Sequence, residues 1–234
     1  VFQIYSLRGA STGHYKVSRF APGFWSNNNT GKKSIILKYK QHSMSIVSKA
    51  LLFSTEHHQY QHRKGTKIPY MAHLLNVCKL LAERDCSDEV LAAALLHDVV
   101  EDSDVTMEEV EEKFGAAVGN MVRGATELEQ LEKKAIQKES SWQERKEHTI
   151  HFLEHEATTD QLLVSAADKL DNLRSIAYDH AKVGEALWKR FNASKEQQGW
   201  YYGSIASIIR NKGKVNSILS DFGNEMDGLC KKVF

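Results

Sequence analysis

From Met44 to the C-terminus, no stretch of this chain alternates apolar and polar residues with the period of two that a half-buried strand needs. Apolar residues recur at helical spacing instead. That pattern confines the fold to packed helices. The helical segments read as Ser45 to His58, Pro69 to about Glu83, residues 88 to 101 behind an N-cap at Ser87, and a short helix opened by the capping-box pair Thr106 and Glu109 and closed near Gly115. Residues 116 to 126, Trp142 to His155, Asp160 to Tyr178, Glu185 to Phe191 and Ser194 to Lys212 continue the series, and Val215 to Cys230 reads as a weaker C-terminal helix. Pro69 suits a first helical turn, where its missing N–H would have had no intrahelical partner. Glu127 to Ser140 is strongly charged, has no apolar stripe and reads as an exposed, mobile insertion. The expected class is all-α, a helical bundle.

Within that bundle, ionisable groups fall where they are costly. The apolar run Ala92-Ala93-Ala94-Leu95-Leu96 leads straight into His97-Asp98-Val99-Val100-Glu101-Asp102. On a continuous helix Glu101 sits one turn beyond His97, and Asp102 one turn beyond Asp98. Such groups packed against an apolar helix need a cation or hydrogen-bond partners. Upstream, His73 stands among Ala72, Leu74 and Leu75; downstream, Asp168 follows Ala166 and Ala167. His73, His97, Asp98 and Asp168 thus form a candidate ligand set drawn from three helices, with positions left for water and substrate. Two imidazoles with two carboxylates suit Mn²⁺, Fe²⁺ or Zn²⁺, whereas Mg²⁺ usually takes oxygen alone. The chemistry such an ion suggests is hydrolysis.

These residues and their neighbours carry a resemblance. The His-Asp-x-x-Glu-Asp run at 97 to 102, Val105-Thr106, Phe114-Gly115, His62-Arg63-Lys64-Gly65-Thr66 ahead of Pro69-Tyr70, and Asp168-Lys169-Leu170-Asp171-Asn172 occur in the order seen in the HD-domain metal-dependent phosphohydrolases. Within them the chain looks most like the hydrolase domain of the bacterial stringent-response alarmone enzymes and their small stand-alone relatives. The resemblance covers roughly residues 54 to 211, and the tail from Ala186 to Asn192, then Lys195-Glu196 and Trp200-Tyr201-Tyr202, is like that of short bacterial members. It implies an HD-domain bundle with a metal site between core helices, one Mn²⁺ ion, and removal of the 3′-pyrophosphate of guanosine tetra- or pentaphosphate. Glu101 and Asp102 then orient water and move protons. A phosphorylated substrate also needs cations. Arg63 and Lys64 on the basic loop with Thr66 are candidates to hold phosphate or stack on a base. Asn172, Arg174, Arg145 and Lys146 are the further candidate contacts. Two alternatives stay open: the same chemistry on a deoxynucleotide or NADPH, and a nucleotide-binding regulatory module without turnover.

Charge divides the chain. The net charge of +1 conceals a segment, residues 1 to 43, with seven Lys or Arg and no acid. The first residue is Val1, and Met44 directly precedes the resembling region. Residues 1 to 43 are therefore read as an artificial or upstream-translated leader, a native basic extension or an organellar targeting peptide. Residues 44 to 212 form the HD domain and 213 to 234 a C-terminal helical extension. A nucleic-acid-binding arm stays open as a reading, although Phe24 and Trp25 are too few aromatics to favour it. Cys78, Cys86 and Cys230 make no Cys-x-x-Cys pair, which suits a reducing, cytoplasmic setting. No apolar run approaches the ~18 residues of a membrane span. The expected partner is a nucleotide, with a homo-oligomer left open.

Overall fold

Most helices begin where a short polar side chain can take up N–H groups that the first turn leaves unpaired. In the computed structural model, which describes residues 44–126 and 141–234, Ser45, Ser87, Thr106, Ser141, Thr158, Ser194 and Asn216 all accept such a bond. The helices that follow are α1 (Ile46–His58), α2 (Met71–Ala82), α3 (Asp88–Leu96), α4 (Val99–Asp102), α5 (Met107–Phe114) and α6 (Ala116–Ala125). They continue with α7 (Trp142–His155), α8 (Thr159–Val183), a 3-10 segment Gly184–Arg190, α9 (Lys195–Lys212) and α10 (Ser217–Val233). Among the described residues there is no strand, only an isolated antiparallel bridge between His62 and Pro69. The protein is all-α, as the periodicity requires. The expectations for residues 1–43 and for Glu127 to Ser140 lie outside the described residues.

α8 is the axis of the bundle. It is buried on almost every side from Gln161 to Asp168, and again at Leu170, Asp171, Leu173, Ile176 and Ala177. A helix apolar all round belongs in a core, and α2, α3, α6, α9 and α10 all pack on this one. It runs beyond the expected Tyr178 to Val183 and stops at Gly184, whose φ of 58° lies in the left-handed region open to glycine. The next segment is a 3-10 turn rather than the α-helix expected over Glu185 to Phe191.

Two further differences bear on the site. The helix expected over 88 to 101 is interrupted at His97 and Asp98, and Asp98 takes φ −99° and ψ −4°. The cause is local. An unbroken helix would give the carbonyls of Ala94 and Leu95 to the N–H groups of Asp98 and Val99. Here the His97 Nδ1–H donates to Ala94 O at 2.9 Å, and Ser54 Oγ on α1 donates to Leu95 O at 2.5 Å. The ladder resumes with Asp102 N–H to Asp98 O at 3.0 Å.

The second difference is α10. It reads as weak in sequence, yet Leu219, Phe222, Met226 and Val233 are buried against α8 and α9. Gly223 allows that approach: a Cβ there would stand 2.6 Å from the backbone nitrogen of Arg210 on α9.

Candidate metal centre

α2, the α3–α4 junction and α8 bring polar side chains together at one buried point. His73 Nε2 lies 3.2 Å from Asp168 Oδ1 and 3.7 Å from Asp98 Oδ2. His97 Nε2 lies 2.9 Å from Asp98 Oδ2 and 3.6 Å from Asp168 Oδ1. Donors held ~2.1 Å from one cation at right angles stand roughly 3 Å apart, so this is the spacing of adjacent ligands. One donor atom each from His73, His97 and Asp168 lies within 4.8 Å of the others. The four residues expected to bind metal are thus brought together.

The hydrogen bonds on the outer side of the rings set the tautomers. His73 Nδ1–H donates to Asp171 Oδ2 at 2.7 Å, and His97 Nδ1–H to Ala94 O. In the neutral rings both Nε2 lone pairs are then left facing the cluster, as metal-binding imidazoles require. His97 Nε2 is buried without any hydrogen-bond partner. A buried polar atom left so calls for an explanation, and a cation between these donors supplies one. The residues fit a divalent ion.

The electrostatics are those of a site arranged around positive charge. Burial alone would lower the His97 imidazole, but Asp98 and Asp168 hold it well above the usual histidine value. Burial would raise Asp98, yet the charge of His97 beside it brings it below the usual carboxylate range. Asp168 is likewise driven well below that range against its burial, first by Lys169 and then by the two imidazoles. Asp102 moves the other way, raised by burial and by the charge on Asp98. It stands at the end of α4 with the half-buried Glu101.

The candidate substrate contacts are scattered more widely. Arg63 lies on the basic loop beside the site, where it donates to Asn172 Oδ1 at 2.5 Å and stacks on the Tyr70 ring at 5.6 Å. Asn172 in turn donates to Asp168 Oδ1 at 2.6 Å, so it is tied at both ends, bridging the loop to a metal donor. Lys64 is exposed on that loop. The loop is built tightly: Gly65 has φ 71°, and a Cβ there would come within 3.0 Å of Arg190 Cδ. The Thr66 hydroxyl donates to Arg63 O and accepts from Ile68 N–H, closing the loop itself. Arg174 is also engaged within the protein. Its guanidinium grips both carboxylate oxygens of Glu225 on α10 at 2.6 and 2.8 Å. On α7, Lys146 stands 4.8 Å over the Tyr201 ring, and Arg145 precedes it on the same helix.

Several members of the site were quoted within motifs but not assigned roles. Tyr70 donates its hydroxyl to Asp98 Oδ2 at 2.6 Å, and burial together with Asp98 raises its pKa, which keeps it a donor. Lys169 pairs with Asp168 Oδ2, and Asp171 supports His73. The spacing Asp168-x-x-Asp171 was the available signal, since residues three apart on a helix share a face. Asn76, which donates to Asp171 Oδ1 at 3.0 Å, had none.

Comparison with known proteins agrees with this geometry. A family model described as the HD domain matches residues 50–196. The chain is 35% identical over 144 residues to a guanosine-3′,5′-bis(diphosphate) 3′-pyrophosphohydrolase of Aquifex aeolicus, covering 62% of this chain and 19% of that protein. It is 38% identical over 137 residues to the 3′-pyrophosphohydrolase MESH1 of Danio rerio, covering 57% of this chain and 71% of the relative. The chain therefore spans about a fifth of the bacterial relative and most of the small animal one. Among solved structures, one described as a metazoan ortholog of SpoT that hydrolyses ppGpp superposes with a TM-score of 0.61 at 28% identity, covering 80% of this chain and 96% of that one. A protein of Listeria monocytogenes superposes with a TM-score of 0.58 at 30% identity, covering 68% of this chain and 99% of that one.

Proposed function

The chain belongs to the HD-domain family, and on that premise we propose that it removes the 3′-pyrophosphate of guanosine tetra- and pentaphosphate. The observation that carries this reading is the convergence of His73, His97, Asp98 and Asp168 beside the Arg63 loop. Relatives 35% and 38% identical to more than half of the chain bear the name of that activity.

We assign His73, His97, Asp98 and Asp168 as the ligands of one divalent ion, Mn²⁺ in our reading, with Fe²⁺ or Zn²⁺ also compatible with the donor set. When bound, such an ion neutralises charge on a phosphoryl oxygen and lowers the pKa of a coordinated water to about 7. The protein's own groups do the rest. Asp102, raised by burial and by Asp98, is suited to take a proton from the attacking water, with Glu101 orienting that water. Water's oxygen joins the phosphorus, the 3′-oxygen leaves with a proton, and the products are pyrophosphate and a guanosine 5′-di- or triphosphate. Arg63 can leave Asn172 for a phosphate or the base, since guanidinium serves either purpose. Lys64, Lys146 and Arg145 supply further positive charge around the nucleotide. The three free thiols fit a cytoplasmic enzyme. No helix among the described residues is long and apolar enough to cross a membrane.

The test is product analysis across a nucleotide panel, with Mn²⁺ and after chelation. We expect pyrophosphate from guanosine tetraphosphate, lost on chelation and restored by Mn²⁺. Orthophosphate from NADPH or a deoxynucleoside triphosphate as the main product would overturn the substrate, and no turnover of any nucleotide would overturn the activity.

A further inference from the structure

Asp171, at 5% exposure, is about as buried as His73, His97 and Asp168, yet it is not one of the donors. Its Oδ2 accepts from His73 Nδ1 at 2.7 Å, on the side of the ring opposite Nε2, and Oδ1 accepts from Asn76 Nδ2 at 3.0 Å. Both oxygens are spoken for, and the imidazole stands between this carboxylate and the cluster. Asn76 lies on α2 three residues beyond His73, so the two helices α2 and α8 are clasped at the point where one ring must be aimed. Behind this clasp is a cavity of about 280 Å³ lined by Asn76, Asp171, Arg174, Ser175 and Tyr178 among others. Its lining runs from the buried Asp171 to Tyr178, which is 60% exposed. The carboxylate that supports His73 is thus part of the cavity wall.

We propose that Asp171 is a positioning residue of the site: clasped by Asn76, it holds the His73 proton on Nδ1 so that Nε2 presents its lone pair, and it does so within reach of solvent. Loss of the carboxylate lets the ring rotate and the proton move to Nε2, which removes one donor from the cluster. The cavity makes the loss reversible, because a small carboxylate can enter and take the vacated place beside Asn76 and Nδ1. This inference rests on the reading of the four donors as a metal site, and its test separates the two.

Mn²⁺ is titrated calorimetrically into chelator-stripped full-length wild type, Asp171→Ala, Asp171→Asn and Asn76→Ala. We expect one ion per wild-type chain and a roughly 10–100-fold weaker affinity in Asp171→Ala, the range for loss of an orienting partner. Asn76→Ala should weaken binding less. Formate at tens of millimolar should recover part of the Asp171→Ala loss and leave wild type unchanged. Wild type that binds no Mn²⁺ overturns the metal site and this proposal with it. Wild type that binds, with Asp171→Ala binding equally well, overturns the positioning role alone. A weakened Asp171→Ala that formate does not help overturns the route through the cavity. If Asp171→Ala does not fold, equal affinity in wild type, Asp171→Asn and Asn76→Ala rejects the proposal.

Discussion

Asp98 and Asp102 lie one turn apart on the same short segment, yet their surroundings move their protons in opposite directions. The imidazole of His97 brings Asp98 down against its burial, while burial and the charge on Asp98 raise Asp102. The first shift favours an ionised carboxylate, as the proposed ligand role requires; the second favours a carboxyl that exchanges a proton, as the proposed role of Asp102 requires. On that proposal substitutions should separate metal content from turnover. Asp98→Ala and Asp168→Ala should lose bound metal. Glu101→Gln and Asp102→Asn should keep it and lose ~10²–10⁴-fold in kcat, the range for a positioned acid or base. Metal analysis beside steady-state kinetics checks the split, and near-wild-type turnover in both acid variants would return them to a structural role. The four donors were legible because His and Asp stand out against apolar helix. Tyr70, Asn76 and Asp171 were not given roles, because hydrogen bonds such as His73 to Asp171 join different helices. The pairing of Arg174 with Glu225 was hidden for the same reason, Glu225 lying on a helix far along the chain.

At the scale of the element, helix starts were more legible than helix interiors. Caps act within a few residues, so Ser87 and Thr106 declared themselves. The break between α3 and α4 did not, because one of its causes is a hydroxyl on α1, Ser54, bonded to Leu95 O. α10 was underrated because Gly223 and Gly228 weaken helix propensity. At Gly223 that cost allows contact with α9, and the helix is held by what it buries. Phe222 is fully buried and carries the Arg84 guanidinium 4.4 Å above its ring. Phe222→Ala should cost about 3–5 kcal/mol of stability, as for other buried aromatic truncations. Denaturant unfolding measures it; a loss below about 1 kcal/mol would make α10 the peripheral extension that its sequence suggests.

For the whole molecule, the all-α class was legible because period alone excludes strands, and the family because its motifs are spaced along most of the chain. Every residue assigned to chemistry lies after Met44, and the HD-domain match begins at residue 50. Removing residues 1–43 should accordingly leave hydrolysis and the unfolding temperature unchanged. An insoluble or inactive truncated protein would make that segment part of the working enzyme.

The donors come from α2, the α3–α4 junction and α8, elements separated by much of the sequence. An ion held among them is a cross-link that binds only the folded chain. At free metal ~100-fold above its Kd it adds about 2.7 kcal/mol, which for a chain of this size raises Tm by roughly 5–10 °C. Thermal melts across buffered Mn²⁺ concentrations should trace that rise, and a flat response would deny the linkage. In a cell starved of metal the same chain would lose its catalyst and its clasp together. Degradation would then follow inactivation, so metal supply would set how long the protein survives as well as how fast it works.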